Sequence, residues 1–239
     1  MKAKKLLASL ILGVTLPFFI FVSIIEMAVS DKHFYMYQMD KNDVIENTEI
    51  YPPDVDSVIS EIIAYLNDDR DSFDILARVA PPDAKNVTEL THLFNDKEIT
   101  HMTDVKNLYQ NVLSIRDFSI ILILFSFLYL LKIDQKQIIY SLFGGSVFYI
   151  LLLGLIGIFF AVDFQNSFIK FHQLFFSNEL WVMDPATDLL ISIVPEPFFI
   201  ALIRRIIVNI SVFLSGLACI TGILLYKIKI RGKHENTQH

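Results

Sequence analysis

The sequence predicts an all-α membrane protein: four transmembrane helices, a mostly helical extracytoplasmic cap, and a second extracytoplasmic loop carrying a re-entrant or interfacial helix. Three observations carry that prediction. A chain with 54% hydrophobic residues, 21 phenylalanines and a mean hydropathy of +0.50 is too apolar for a soluble domain of 239 residues. Four stretches can supply the roughly 20 mainly apolar residues that a helix needs to cover a hydrocarbon core of about 30 Å. Basic residues gather at one end of each of these stretches.

The spans fall at residues 6–29, 118–131, 138–162 and 199–226. The second has the shortest uncharged core and reaches full length only with residues flanking Asp117 and Lys132. The first follows Met1-Lys2-Ala3-Lys4-Lys5, which imitates the positive region of a signal peptide. Its apolar run is too long for one and offers only Ala28-Val29-Ser30 as a small-residue site, so it is expected to stay as an anchor. Lys2, Lys4, Lys5, Lys132, Lys136, Lys227, Lys229, Arg231 and Lys233 stand on one side against Asp134 and Glu235. The positive-inside rule then places both termini and the 132–137 loop in the cytoplasm. The expected organisation is the N-terminus and first span at 1–29, the cap at 30–117, and the second span with its cytoplasmic loop at 118–137. The third span follows at 138–162, the second external loop at 163–198, and the last span with its tail at 199–239.

The cap holds 18 acidic and 8 basic residues, about −10 where the whole chain is −6, a surface that repels nucleic acid. Within it Val55, Val58, Ile59, Ile62, Ile63 and Leu66 recur at helical spacing, an amphipathic helix that Asp54 or Asp56 is placed to cap. Pro52-Pro53 and Pro81-Pro82 interrupt the chain on either side. Residues 30–96 are too few for an independent core. The Asn86-Val87-Thr88 sequon fits an exposed loop and carries no functional weight.

The single Cys219 excludes an intrachain disulfide, and its place within a span disfavours a thiolate nucleophile. Ser211, Ser215, Cys219 and Gly222 form a small-residue stripe in the last span, and Ser141, Gly145, Gly154 and Gly157 a similar one in the third, both suited to close helix packing.

Chemistry concentrates in two external motifs. In the stretch Glu98 to Tyr109, helical spacing sets Glu98 and Asp104 one turn either side of His101, where a carboxylate can orient an imidazole as a general base. In the stretch Phe168 to Trp181, Phe168, Phe171, His172 and Phe175 share one face of a short helix, and burial among rings favours the neutral imidazole. Both histidines fall at the same depth, just outside the same membrane face, which makes them candidates for one shared site. An aromatic belt accounts for the phenylalanines and Trp181 but leaves His172 unexplained. Beyond Trp181, Asp184 or Thr187 is placed to start a short helix, and Pro195 and Pro197 around Glu196 force a turn. Arg204 and Arg205 in the outer turns of the last span need water or a carboxylate, with Asp184, Asp188, Glu196 and Asp104 as candidate partners; snorkelling to the headgroups is the alternative.

E-I-T-H-M-T-D-V at 98–105, F-H-Q-L-F-F-S-N-E-L-W at 171–181, D-P-A-T-D-L-L-I at 184–191 and P-E-P-F-F at 195–199 resemble the lipoprotein intramolecular transacylases of Gram-positive bacteria. Order, spacing and topology match over nearly the whole chain, although residues 30–96 carry no matching motif. The resemblance implies an acyltransferase in the bacterial cell membrane, needing no cofactor or metal, whose partners are a diacylated lipoprotein and membrane lipid. It implies that the sn-2 acyl chain of a diacylglyceryl-cysteine moves to the cysteine α-amino group, leaving a lyso-form lipoprotein. Attacking amine and leaving alkoxide then both belong to the substrate, so no enzyme nucleophile is required. His101 and His172 become the acid-base pair, and Glu98, Asp104, Arg204, Arg205, Asp184, Asp188 and Glu196 supporting groups. Phe171, Phe175, Phe176, Asn178 and Trp181 become substrate contacts. The rival readings are a non-enzymatic sensor or partner-binding membrane protein, a zinc protease that lacks H-E-x-x-H and has only His33 and His92 as further external imidazoles, and a transporter without a visible inverted repeat.

Overall fold

A computed structural model describes residues 2–80 and 87–236. Four of its helices are long and apolar enough to cross a membrane: α1 (Lys2–Val29), α5 (Asp96–Ile133), α6 (Gln135–Val162) and α9 (Glu196–Asn236). The shorter helices are α2 (Lys32–Lys41), α3 (Val44–Thr48), α4 (Val55–Leu66), α7 (Phe164–Phe175) and α8 (Leu190–Ile193). Two two-residue strands, β1 (Leu76–Ala77) and β2 (Thr91–His92), pair antiparallel, the only sheet among the described residues and a feature that the apolar periodicity does not signal. The expected breaks at 117/118 and 198/199 fall inside continuous helices, because α5 starts at Asp96 and α9 at Glu196. Pro197 sits in the first turn of α9, where the missing N–H leaves no helical bond unmade.

The chain divides into two compact units. The first comprises residues 1–25, 113–162 and 206–239. Ala8, Leu12, Leu130 and Ile138 form one buried cluster, and Tyr149, Leu153, Ile210 and Leu214 another. Between them α1 and α6 approach so closely that a Cβ built on Gly145 would lie 2.0 Å from the Gly13 carbonyl oxygen, and one on Gly13 2.9 Å from that of Ser141. Lys5 pairs with Asp134 at 3.0 Å. The small residues of α6 therefore pack in part as expected, whereas the α9 stripe does so at Gly222, where an added Cβ would lie 3.3 Å from the Phe143 ring, but not at Ser215 and Cys219, which are exposed while α9 buries Ile210 and Leu214. Bulky apolar side chains bury more area per contact, so they take the inner face.

The second unit comprises residues 26–112 and 163–205. Its core gathers Tyr35, Met39, Val55, Val58, Ile59, Ile62, Phe73, Ile75 and Phe198, and Phe73 stacks on Phe94 at 4.6 Å. Residues 30–96 thus share a core with later parts of the chain, as their small number requires. The α4 periodicity is met, but its cap is not: Asp54 makes no side-chain bond to the helix, and its carboxylate binds the Arg78 main-chain N–H and guanidinium Nε, each at 2.9 Å. The guanidinium also reaches the other carboxylate oxygen through Nη2, and this charge-assisted pair is stronger than a bond to a helix N–H. Pro52 and Pro53 form a 3₁₀ turn before α4, while Pro81, Pro82 and Asn86 lie outside the described residues.

Candidate functional site

An Asn95/Glu98 box opens α5. Asn95 Oδ1 accepts from the Glu98 N–H at 3.0 Å and Glu98 Oε2 from the Asn95 N–H at 2.8 Å, a reciprocal cap readable in N-x-x-E but missed in the sequence. His101 follows one turn on. Asp163 caps α7 by accepting from the Asn166 N–H at 3.0 Å, and His172 stands in that helix's last turn.

These two helices bring the imidazoles to a centroid separation of 6.0 Å, inclined by 33°. Each histidine is 7% exposed. Around His172 stand Phe168 at 4.1 Å, Trp181 at 4.9 Å, Phe171 at 5.4 Å and Phe176 at 5.5 Å; Phe176 also meets His101 edge-on at 5.4 Å. Phe175 packs on Phe171 and remains 48% exposed rather than joining the imidazole, because the helical face shared with His172 passes through Phe168.

The His172 Nδ1 lies 2.8 Å from the Phe168 carbonyl oxygen, which can only accept, so Nδ1 carries the proton and Nε2 is the basic nitrogen of the neutral ring. Burial pulls the His172 pKa down, partly opposed by that bond. His101 falls from 6.5 to about 4, first through burial and then through repulsion by a charged His172, with Asp104 opposing. His101 Nδ1 has no hydrogen-bond partner among the described residues.

Neither flanking carboxylate bonds His101, contrary to the spacing argument. Glu98, 1% exposed, gives Oε1 to the Leu190 N–H at 2.6 Å, and burial raises its pKa. Asp104 Oδ2 accepts from Asn178 Nδ2 at 2.8 Å. Buried backbone N–H groups and a side-chain amide claim these oxygens because leaving such donors unpaired is costly.

The arginine partners also differ from expectation. Arg205 pairs with Asp31 and lies over the Phe34 ring at 4.8 Å, while Arg204 is exposed and has no hydrogen bond or ion pair to a described residue. The four acidic residues expected for them are engaged elsewhere. Asp188 takes Lys97 Nζ at 2.8 Å, Asn95 Nδ2 at 2.9 Å and the Asp184 N–H at 2.8 Å, and the Lys97 ammonium, foremost among these, lowers its pKa to about 2. Glu196 accepts from Gln165 at 3.3 Å, and Asp104 from Asn178. Asp184 accepts from the Ala186 N–H in a turn, so neither it nor Thr187 starts a helix; α8 begins only at Leu190. Asp31 and Arg205 stand 174 residues apart with no pattern connecting them. Among the described residues no group of three or more His, Cys, Asp or Glu side chains is placed to hold a metal ion.

A family model described as lipoprotein intramolecular transacylase Lit matches residues 10–199. Among solved structures, the chain is similar to the in meso structure of the membrane integral lipoprotein intramolecular transacylase Lit from Bacillus cereus. The TM-score is 0.74 at 22% identity, over 98% of this chain and 100% of that one. Two structures of the same Bacillus cereus protein, one with a histidine-to-arginine and one with a histidine-to-alanine mutation, match at TM-score 0.73 and 22% identity. They cover 96% of this chain and 96% and 97% of theirs. Comparison with curated protein sequences gives no match. At this identity the structural likeness establishes a shared all-α fold with four long apolar helices.

Proposed function

The chain belongs to the lipoprotein intramolecular transacylase Lit family, and we propose that it moves the sn-2 acyl chain of a diacylglyceryl-cysteine lipoprotein to the α-amino group of that same cysteine. The observation that carries this reading is the pair of buried, neutral imidazoles 6.0 Å apart among aromatic rings. The cysteine nitrogen attacks the ester carbonyl carbon, forming a C–N bond, and the C–O bond to the glycerol oxygen breaks. One proton leaves the amine and one arrives on the glycerol oxygen. The product is an N-acyl, S-monoacylglyceryl lyso-form with no atom gained or lost.

Two neutral imidazoles can divide that proton traffic. The Nε2 of His172 is a fixed acceptor, and no hydrogen bond at Nδ1 fixes the tautomer of His101. Intramolecular geometry supplies much of the rest, because holding an amine against an ester is worth roughly 7 to 11 kcal/mol. Phe171, Phe175, Phe176 and Trp181 offer apolar surface for acyl chains, and Asn178 stands beside them. The excess of lysine and arginine near the termini and in the 132–137 loop supports a reading with those segments inside and the two histidine-bearing stretches outside.

The test is the N-terminal structure of lipoproteins from cells with and without the protein, read by mass spectrometry. An N-acylated, monoacylglyceryl form appearing only in its presence is expected. The same termini in both cells would overturn the assignment.

A further inference from the structure

Glu98, His101 and Asp104 stand on successive turns of α5, and the two carboxylates that flank the histidine grip opposite ends of one later segment. Asp104 Oδ2 holds Asn178 Nδ2 at 2.8 Å, and Glu98 Oε1 holds the Leu190 N–H at 2.6 Å. Asp188 reinforces the second grip through Lys97 and Asn95. Between the grips lies Trp181, whose indole N–H donates to the Asn178 carbonyl at 2.9 Å and whose ring lies 4.9 Å from that of His172. A capping box needs only one glutamate oxygen, yet the second reaches a main-chain N–H 92 residues away.

We propose that Glu98 and Asp104 are positioning residues that strap residues 178–190 across the histidine pair, so that Trp181 packs against His172 and fixes the imidazoles relative to each other. They act through the segment and not by bonding His101. The strap also sets what the substitutions do. Glu98 uses both oxygens as acceptors, so glutamine, with one carbonyl oxygen, meets one of the two N–H groups with its own NH₂. Asp104 uses one oxygen, so asparagine can keep the bond to Asn178.

Trp181 is the only tryptophan in the chain, so its intrinsic emission reports this packing directly. In purified full-length protein, Glu98→Gln and Asp104→Ala are expected to shift Trp181 emission to longer wavelength and raise its quenching by acrylamide. Both should lower kcat on the order of a hundredfold, as misplacement of reacting groups does, with a smaller change in KM. Asp104→Asn should restore the emission and most of the rate lost in Asp104→Ala. Wild-type emission and quenching in folded Glu98→Gln and Asp104→Ala would overturn the strap. So would Asp104→Asn with wild-type emission but the low rate of Asp104→Ala, because that pattern assigns Asp104 a charge effect on His101. If neither variant folds, Asn178→Asp keeps the acceptor for the Leu180 N–H while removing the donor to Asp104, and an unchanged Trp181 signal there overturns the strap equally. The rate measurements rest on the transacylase reading and the fluorescence measurements do not, so a moved Trp181 signal without any transacylation would sink the reaction assignment and leave the strap standing.

Discussion

An imidazole that donates from Nδ1 to a main-chain carbonyl has only Nε2 with which to accept a proton, and Phe168 imposes that state on His172. His101 carries no such constraint at Nδ1. Replacing either ring by asparagine should cost about 10² to 10⁴ in rate, the usual contribution of a positioned acid or base. Lyso-form product measured by mass spectrometry checks this, and normal product from a well-expressed variant would remove that histidine from the mechanism. Neutral histidines at pH 7 leave the substrate amine, whose ordinary pKa is about 7.7 to 8.0, as the group that titrates near neutrality, so kcat/KM is expected to rise with pH up to about 8. Stability has the sign of a depressed base. The unfolded His101 takes up its proton near 6.5 and the folded one only near 4, so its contribution is whole above 6.5 and lost as pH falls through that window. His101→Asn should therefore flatten the acid side of the melting-temperature profile; an equally steep profile in the variant would refute burial of a neutral ring. Arg205→Lys loses the planar fork that meets Asp31 and the face that lies on Phe34, and should lower the melting temperature more than Arg204→Lys.

At the scale of elements, α1 and α6 meet main chain to main chain at Gly13 and Gly145. A methyl on Gly145 would meet the Gly13 carbonyl, which belongs to main chain and cannot swing aside. Gly145→Ala should destabilise by about 1 to 3 kcal/mol, as overpacking does. Gly216→Ala in α9 has nothing within 4 Å of the added carbon and should be neutral or slightly stabilising through helix propensity. Thermal unfolding of the two variants in one detergent separates them, and equal shifts would show that the close approach is not what the glycine serves.

For the whole molecule, charge asymmetry leads to a prediction about orientation. With Cys219 replaced by serine, a cysteine at His33 or Asp184, both exposed, should react with an impermeant maleimide on intact cells, and one at Lys136 only after permeabilisation. The reverse pattern would invert the assignment. The whole chain also explains why a segment as acidic and small as 30–96 folds: its apolar side chains complete a core with residues 97–112 and 163–205, and Arg70, Arg78 and Lys106 meet Glu61, Asp54 and Asp68.

The sequence by itself determined what periodicity and hydropathy encode: four apolar helices, the α4 stripe from Val55 to Leu66, the helix carrying His172, and two histidines as the residues to bring together. Those properties are local, because a helical repeat or a 20-residue apolar run needs no partner to be recognised. Only the tertiary structure decided which polar groups meet. Glu98 finds Leu190, Asp104 finds Asn178, Arg205 finds Asp31 and Asp54 finds Arg78 because polar groups drawn out of water pair, with few exceptions, with whatever the fold brings within about 3 Å. That requirement is set by distance in space, and nothing in the spacing of residues along the chain records it.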